Sequence, residues 1–158
     1  MSFSLLFPEE FVISGIALDD NVYKIGLNST KDSCLCPICN IESKRVHSRY
    51  IRKIHDLMIL GRQVVINLTS RKFFCDNSLC RRFIFTERFG AFINAYSRRT
   101  ERLNDSLVKL AFSLCSEAAS RISKYILLPL SADTYIRIIR RYSITIDTDY
   151  KYIGICQN

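Results

Sequence analysis

Residues 36–39 read Cys-Pro-Ile-Cys, and residues 75–80 read Cys-Asp-Asn-Ser-Leu-Cys. Zinc prefers four soft ligands in a tetrahedron, and two close cysteine pairs on separate turns can supply them with little loss of chain entropy. We therefore predict a structural zinc ion bound by Cys36, Cys39, Cys75 and Cys80. Such a site would fasten two turns of a small domain together.

Two other uses of paired cysteines fit the chain less well. A thioredoxin-type redox pair needs no second pair and opens a helix, whereas Pro37 lies in a turn between strand-like flanks. A disulfide framework is typical of exported proteins, and residues 1–10 lack the basic region of a signal peptide. The seven cysteines are also an odd number. A reducing, cytoplasmic environment is therefore expected.

The remaining cysteines and both histidines are not needed for four-coordination. Cys34 can replace Cys36 as a ligand in principle, but the spacing from Cys36 to Cys39 suits a zinc knuckle better. The others are expected to be ordinary thiols, or imidazoles that are exposed or hydrogen-bonded: Cys115, Cys156, His47 and His55.

The positive charge of the chain is concentrated in its middle. The 158 residues include 23 basic and 15 acidic ones, a net charge of +8. From Lys44 to Arg141 there are 20 of the basic and 7 of the acidic residues, so this stretch carries +13 and the two flanks together −5. Arginine forks match phosphates and guanine edges, so this density predicts contact with nucleic acid. A solvated basic surface is the alternative, and a membrane surface fits less well.

Alternating apolar residues predict a β-rich first part. Phe11–Leu18 and Val22–Leu27 are expected to form an accessory hairpin. The basic run 44–53 alternates like a strand with one charged face, and Gly61 marks a turn before a strand over 64–69 that leads into the second cysteine pair. Strand, knuckle, strand and knuckle in succession predict a zinc ribbon.

Aromatic side chains are interleaved with arginines in this region, an arrangement that can stack nucleic-acid bases. In so small a β domain, however, most of the rings are expected to form the core. The residues concerned are Tyr50, Phe73, Phe74, Phe83, Phe85 and Phe89.

From Ser97 onward the apolar period changes from two to about 3.6 residues, which predicts helices. Thr100, Ser116 and Ser131 are candidate N-caps for three of them, and Pro129 should end the second. The inward residues are predicted to be Leu103, Leu107, Leu110, Ala111 and Leu114, then Ala119, Ile122 and Ile126, then Tyr135, Ile138, Ile139 and Tyr142. Three capped helices in succession predict a helix-turn-helix unit.

The third helix is predicted to enter a DNA groove. Recognition helices read base edges with their N-terminal residues, while basic residues further along bind phosphates. Thr134 and Arg137 are therefore the candidate base-reading residues, and Arg140 and Arg141 the candidate phosphate contacts. An ordinary amphipathic helix with a solvated basic face is the alternative. Further DNA contacts are predicted for Arg45, Arg49, Arg52, Arg98 and Arg99.

A series of short motifs within residues 30–142 resembles a known family. In chain order they are Cys36-Pro37-Ile38-Cys39, Arg45-Val46-His47-Ser48-Arg49-Tyr50-Ile51-Arg52, Asp56-Leu57, Arg71-Lys72-Phe73-Phe74-Cys75, Cys80, Phe85-Thr86-Glu87-Arg88 and Arg98-Arg99-Thr100. Together they resemble the N-terminal half of the ISL-three family of bacterial insertion-sequence transposases. In that family a zinc finger and a helix-turn-helix precede an RNase H-like domain with a DDE acidic triad.

The resemblance implies a DNA-binding role. The N-terminal modules of that family bind the terminal inverted repeats of the element, so the implied partner is double-stranded DNA and the implied location is the bacterial cytoplasm, at the nucleoid. The resemblance also implies zinc on the four cysteines of the two pairs. An intact transposase, or a second copy of the chain, is a further candidate partner.

The resemblance also predicts what these residues lack. Family members enter the catalytic domain through an apolar strand that ends in an aspartate. Tyr152–Ile155 resembles that strand, but Cys156 follows it, and Asp147 and Asp149 precede it as a polar linker. Two-metal strand transfer needs several carboxylates. We therefore expect a truncated transposase that binds DNA and has no catalytic activity of its own.

The predicted fold class is α+β, with three parts. They are a β hairpin plus zinc ribbon over 1–95, a helix-turn-helix domain over 96–142, and over 143–158 a linker with the first strand of a lost RNase H-like domain. Two other functions stay open: a zinc-dependent transcriptional regulator or protein-interaction module, and a metal-dependent nuclease. Acidic residues are scattered singly between Lys44 and Arg141, which counts against the nuclease.

Overall fold

The computed structural model describes residues 6–126 and 128–142. The strands are β1 (Phe11–Asp19), β2 (Val22–Ser29), β3 (Cys34–Leu35), β4 (Glu42–Ser43), β5 (Val46–Ile59), β6 (Arg62–Phe74) and β7 (Ile84–Thr86), and the helices are α1 (Glu101–Ser113), α2 (Ser116–Ile126) and α3 (Ala132–Arg141). The predicted α+β class is confirmed. The predicted linker and strand over 143–158, with Asp147, Asp149 and Cys156, lie outside the described residues.

The chain divides into two compact units, Met1–Leu103 and Asn104–Asn158. The first unit holds all seven strands and the second holds most of the helical residues. In the described part of the chain, no helix is long and apolar enough to cross a lipid bilayer.

Two tight turns form the hairpins of the first unit. Asp20 and Asn21 join β1 to β2 with φ of +45° and +65°, and Leu60 and Gly61 join β5 to β6 with φ of +51° and +72°. Two consecutive residues with positive φ give a turn whose twist matches that of the flanking strands. Asn and Gly adopt this conformation at little cost. The predicted first hairpin and the predicted turn at Gly61 are therefore confirmed.

The first hairpin is part of the main sheet, so its interpretation as an accessory element was wrong. The strand order is β1-β2-β6-β5, with β7 also paired to β6, and β2 runs parallel to β6. In that register Ile25 lies opposite Ile66, and Leu27 lies opposite Leu68. All four side chains are fully buried, because the pairing puts the apolar faces of both strands on the same side of the sheet.

Two hydrophobic clusters stabilise the first unit. The larger one covers one face of the sheet, where the segment around Phe89 and Phe92 packs against residues of β1, β2, β5 and β6. The smaller one joins Phe73 and Phe85, whose rings stack at 6.0 Å, to buried cysteines of both pairs. The prediction of a core role is thus confirmed for Phe73, Phe85 and Phe89, whereas Tyr50 and Phe83 are exposed.

A buried carboxylate connects the sheet to the start of α1. The segment before α1 runs beside β5, where His55 N–H donates to Arg98 O at 2.9 Å and Thr100 N–H donates to His55 O at 3.0 Å. Asp56, whose side chain is 1% exposed, accepts from Thr100 Oγ1 at 2.6 Å and forms an ion pair with Arg102. Thr100 Oγ1 also accepts from the N–H of Leu103 at 3.3 Å, which confirms it as the N-cap of α1.

In the second unit, α2 and α3 contact each other. Ser131 is the N-cap of α3 and accepts from Thr134 N–H at 3.4 Å, as predicted. Ser116 is instead the first residue of α2, since Cys115 O already accepts the helical bond from Ala119. The helix ends at Ile126, ahead of Pro129, as predicted.

Six of the twelve predicted inward residues are buried, three are exposed, and three are half-buried, namely Leu110, Leu114 and Ile139. The buried ones are Leu103, Leu107, Ala111, Ala119, Tyr135 and Ile138. Ile122, Ile126 and Tyr142 are exposed. The covered side of α2 is centred on Ala119 and Ser123 instead. Ser123 can be buried there because its hydroxyl donates to Ser120 O at 3.1 Å.

Candidate metal centre

The first cysteine pair lies in a short hairpin. Strands β3 and β4 pair antiparallel on either side of it, and Cys36 N–H donates to Ile41 O at 2.9 Å. The turn closes where Asn40 N–H donates to Cys36 O at 2.9 Å, with Asn40 at a φ of +56°. Asparagine tolerates this left-handed conformation better than most residues do. The turn brings Cys36 and Cys39 to the same side of the hairpin.

The second cysteine pair lies in the loop between β6 and β7. Cys75 N–H donates to Phe83 O at 2.8 Å, and Cys80 N–H donates to Asn77 O at 3.1 Å. The side-chain oxygen of Asn77 accepts from Leu79 N–H at 3.0 Å, which folds the loop into a compact turn. Arg82 N–H points at the sulfur of Cys80 at 3.4 Å.

The four sulfur atoms form one cluster with the dimensions of a zinc site. All lie within 4.8 Å of one another, and the cross-pair distances are 4.0 Å for Cys36 to Cys80 and 3.6 Å for Cys39 to Cys75. Zinc–sulfur bonds of ~2.3 Å in a tetrahedron require sulfurs roughly 3.8 Å apart. A disulfide would require roughly 2.05 Å. The arrangement therefore fits a tetrathiolate metal centre and not a pair of disulfides.

The surroundings of Cys36 and Cys75 shift the pKa values of their thiols in opposite directions. Burial raises the pKa of the Cys36 thiol, but the N–H groups of Cys39 and Ile38 and the neighbouring thiols outweigh it and lower the value to about 7. At Cys75 the N–H of Asn77 lowers the pKa, but burial and the other three thiols raise it to about 12. Four thiolates cannot share this small volume without a positive ion, which is what zinc supplies.

The other sulfur and nitrogen atoms considered as ligands lie outside the cluster. Cys34 is half-buried beside it and is not one of the four clustered cysteines. His47 lies with Nδ1 3.0 Å from Ser48 Oγ and its ring against Phe74. His55 Nδ1 is buried and has no hydrogen-bond partner in the described part of the chain. Among the described residues, the four predicted cysteines are the only such group of three or more metal-binding side chains.

The arginines predicted on the ribbon lie in different surroundings. Arg45 forms an ion pair with Asp76 at 2.7 Å and stacks over the Phe74 ring, so it links the two knuckles. Arg52 donates to Ser97 O at 2.7 Å. Arg49 is exposed on the opposite face of β5 from Arg52, so the basic run does not form the single charged face that was predicted. Arg98 is exposed and Arg99 half-buried.

The residues predicted on α3 lie on its surface. Arg137, Arg140 and Arg141 are exposed and form no ion pair within residues 6–126 and 128–142. Thr134 is half-buried, and its hydroxyl lies 3.0 Å from that of Ser131. The helix thus presents, on the side away from the buried Tyr135 and Ile138, three guanidinium groups that have no ion-pair partner among the described residues.

Arg82, Arg88 and Tyr96 line a cavity beside the knuckles, but no functional role was predicted for them. The alternation of arginine and phenylalanine over 81–89 was the available signal for the two arginines, whereas the position of Tyr96 depends on the folded loop. The buried ion pair in which Arg71 donates to both oxygens of Glu87, at 3.0 and 2.6 Å, was not predicted either.

Comparison with known proteins identifies the ribbon. Residues 32–80 match the family described as the zinc-finger of transposase IS204/IS1001/IS1096/IS1165. The match includes both cysteine pairs and ends at the last of the four ligands, Cys80. No curated protein and no solved structure matches the chain. The chain therefore contains a zinc ribbon of transposase type, and its four clustered cysteines are a structural zinc site.

Proposed function

We propose that this chain is a DNA-binding part of an insertion-sequence transposase. In this proposal the zinc ribbon and a helix-turn-helix formed by α2 and α3 bind the terminal inverted repeats of the element, and the chain itself neither cuts nor joins DNA. The observation that carries the proposal is a transposase-type zinc ribbon in a chain that also exposes basic residues without acidic partners among the described residues, namely Arg49, Lys53, Arg137, Arg140 and Arg141.

The outward face of the ribbon sheet supports contact with phosphates. Side chains directly opposite each other in paired strands share a face, so the partners of Asn67 and Thr69, which are Lys53 and Ile51, lie on the side away from the core. Arg49 follows on the same face. No acidic residue occupies an outward position of β5 or β6, and neither Arg49 nor Lys53 has an ion-pair partner within the described ranges. Unpaired cations of this kind attract a polyanion.

The geometry of α2 and α3 supports the helix-turn-helix assignment. The two helices contact each other, and residues 127–131 connect them. Asp133 in the first turn and Arg140 and Arg141 in the last turn complement the helix dipole, so α3 is stable with its basic end exposed. A recognition helix needs such a stable, solvent-facing surface.

The acidic residues of the ribbon support binding without catalysis. Glu87 is paired with Arg71, Asp56 with Arg102, and Asp76 with Arg45. A magnesium-dependent nuclease needs carboxylates gathered at one cation. In the described part of the chain, the only cluster of three or more metal-binding side chains is the cysteine site.

Substitutions on α3 test the DNA-binding proposal. A preferred duplex site is first selected from a random library, and the affinity for that site and for unrelated DNA is then measured by fluorescence anisotropy. Arg137→Ala should cost about 1–3 kcal/mol on the preferred site only, because a bidentate contact to a base is lost. Arg141→Ala should weaken both duplexes equally, because phosphates are the same in every sequence.

Lys109→Ala is the matched control, because Lys109 is an exposed cation on α1 outside the proposed recognition helix. It should leave both affinities unchanged. Equal losses of affinity on both duplexes for Arg137→Ala would show that Arg137 does not read bases. If the unsubstituted chain binds no duplex, the proposal is rejected. Nicking of supercoiled plasmid by the zinc-loaded chain in magnesium buffer would reject the non-catalytic part.

Exposed apolar residues on the knuckles favour a second candidate function, protein binding. Leu79 is 94% exposed and Phe83 79% exposed, and Ile38 on the other knuckle is also exposed. Large apolar side chains in such positions often contact another protein. Binding to DNA through phosphates weakens steeply with salt, whereas an apolar protein contact does not. Measuring how the affinity of the chain for its partner changes with salt concentration therefore separates the two functions.

A further inference from the structure

A cavity in the first unit lies beside the zinc site. It is bordered by Pro37 of the first knuckle, by Tyr50 and Arg52 of β5, and by Arg82, Arg88 and Tyr96. The space within it is about 90 Å³. This is smaller than the ~300–1,000 Å³ that is usual for sites of whole small molecules, so only part of a ligand would lie inside it and the rest would lie on the surface around it.

The wall of the cavity carries excess positive charge. Three of its side chains are arginines, and Arg82 and Arg88 have no acidic partner among the described residues. Among the described residues of the wall, the one carboxylate belongs to Glu87, which is buried and already neutralised by Arg71. The cavity therefore suits an anion, and guanidinium groups bind phosphate oxygens with particular strength.

Two tyrosines add exposed aromatic surface to the same cavity. Tyr96 is 89% exposed and adopts a φ of +62°, a left-handed conformation that is costly for a tyrosine. The guanidinium of Arg88 lies 5.7 Å from the centre of its ring. Tyr50 is also partly exposed, with the ammonium of Lys72 5.5 Å from its ring centre. Neither ring is needed for the hydrophobic core, unlike Phe73 and Phe85.

Aromatic rings and arginines together match one class of ligand, a nucleotide. An exposed ring stacks on a base of any sequence, and the arginines hold the attached phosphate. A base inside an intact duplex cannot reach such a cavity, because both of its faces are covered by its neighbours. The ligand must therefore be a nucleotide outside the helical stack.

We propose that this cavity binds one unpaired nucleotide of a DNA strand, with the base on Tyr96 and the phosphate held by Arg82 and Arg88. The inference builds on the proposed DNA-binding function and adds to it a site for locally opened DNA. A duplex opened at one nucleotide would then bind through its paired part to the basic surfaces and through its unpaired base to the cavity.

The experiment compares two duplexes of one sequence, one fully paired and one with a single unpaired adenine, on the zinc-loaded full chain. Stacking of one base on an aromatic side chain strengthens binding roughly 5-fold or more. We expect the bulged duplex to bind more tightly by that factor in an anisotropy titration. Tyr96→Ala should abolish the preference, and Tyr96→Phe should retain it because the ring remains.

Tyr125→Ala is the matched control, since Tyr125 is an exposed tyrosine on α2 that does not line the cavity. It should keep the full preference. The comparison also removes the effect of DNA flexibility, because a bulge bends equally easily for every variant. A preference that survives in Tyr96→Ala, or equal binding of both duplexes by the unsubstituted chain, would overturn the inference while leaving the proposed function intact.

Two further results would overturn the inference in other ways. Binding of neither duplex would reject the proposed function together with the inference. Free deoxyadenosine monophosphate, titrated in a third arm, should bind far more weakly than the bulged duplex, since it lacks the paired DNA. If the free nucleotide binds as tightly as the bulged duplex, the cavity is a site for soluble nucleotides. That result would overturn the inference that its ligand is an unpaired nucleotide of DNA.

Discussion

Cys34 and Cys36 are only two residues apart, and the folded hairpin determines which of them is a zinc ligand. The sulfur of Cys36 is buried and is one of the four clustered sulfurs, whereas Cys34 lies outside the cluster. The sequence alone left both residues as candidates. This is the general situation for closely spaced thiols, because spacing limits the ligand set and the direction of each side chain decides it.

Substitution of single cysteines should reproduce this difference. Cys39→Ser should release zinc and unfold the ribbon, because structural zinc contributes on the order of 10 kcal/mol to small domains of this type. Cys34→Ser, the matched control, should keep one zinc per chain and the melting temperature of the unsubstituted protein. Zinc content and circular dichroism measure both effects. Loss of zinc in Cys34→Ser would show that the ligand set is wrong.

His55 should make the first unit less stable in mild acid. Burial, and then the charge of Arg99, hold the pKa of His55 below its ordinary value of 6.5. The folded state therefore binds fewer protons at this site than the unfolded state, so stability is fully present above pH 6.5 and declines as pH falls through the lower folded pKa. We expect the melting temperature to fall between pH 7.5 and roughly pH 5.5.

His55→Gln should flatten part of that decline, because glutamine does not titrate. The comparison is made with zinc in excess, so that acid-induced loss of metal is the same in both proteins. His47→Gln is the control, since His47 is exposed and hydrogen-bonded to Ser48. An identical pH profile for His55→Gln and the unsubstituted chain would show that His55 does not cause the decline.

The hydroxyl N-caps of α1 and α3 contribute unequally to stability. Thr100 is fully buried and bonds both to α1 and to the carboxylate of Asp56, whereas Ser131 is exposed and caps α3 alone. Removing a cap costs about 1 kcal/mol, and leaving a buried charged group one donor short costs about 1–3 kcal/mol. The loss should therefore be larger at Thr100.

Denaturant titration measures the difference. Thr100→Val keeps the shape of the side chain and should lower the free energy of unfolding by about 2–4 kcal/mol, the sum of the two losses. Ser131→Ala should lower it by about 1 kcal/mol. If the two substitutions cost the same, the hydroxyl of Thr100 does not stabilise Asp56.

Local elements were predictable from the sequence to the extent that neighbouring residues determine them. The hairpin turns, the start of α3 and the four zinc ligands each depend on residues close in the chain. The parallel pairing of β2 with β6 was not predicted, because Ile25 and Ile66 are brought together only by the fold of the whole sheet. The exposure of Ile126 was missed for a similar reason: helical period identifies an apolar stripe but not what covers it.

Positive charge should dominate the affinity of the chain for DNA. The stretch from Lys44 to Arg141 carries +13, and its exposed cations occur on both units. Each phosphate contact adds roughly −0.9 to the slope of log affinity against log salt. Replacing Arg140 and Arg141 with alanine should therefore reduce the magnitude of the slope by about 2. The Lys109→Ala chain should keep the original slope, and an unchanged slope in the double variant would exclude both arginines as phosphate contacts.

The parallel pairing between β2 and β6 determines where a shortened polypeptide can begin. The family match begins at residue 32, yet two of the strands in the five-stranded sheet come before that position. A polypeptide started at residue 32 would retain all four zinc ligands but leave one side of β6 without its neighbour, over an apolar stretch that includes Val64 and Ile66. Such an open edge recruits other chains. Expression trials that take their boundary from the matched family would thus yield metal-loaded but aggregating protein, and a start upstream of Phe11 would avoid it.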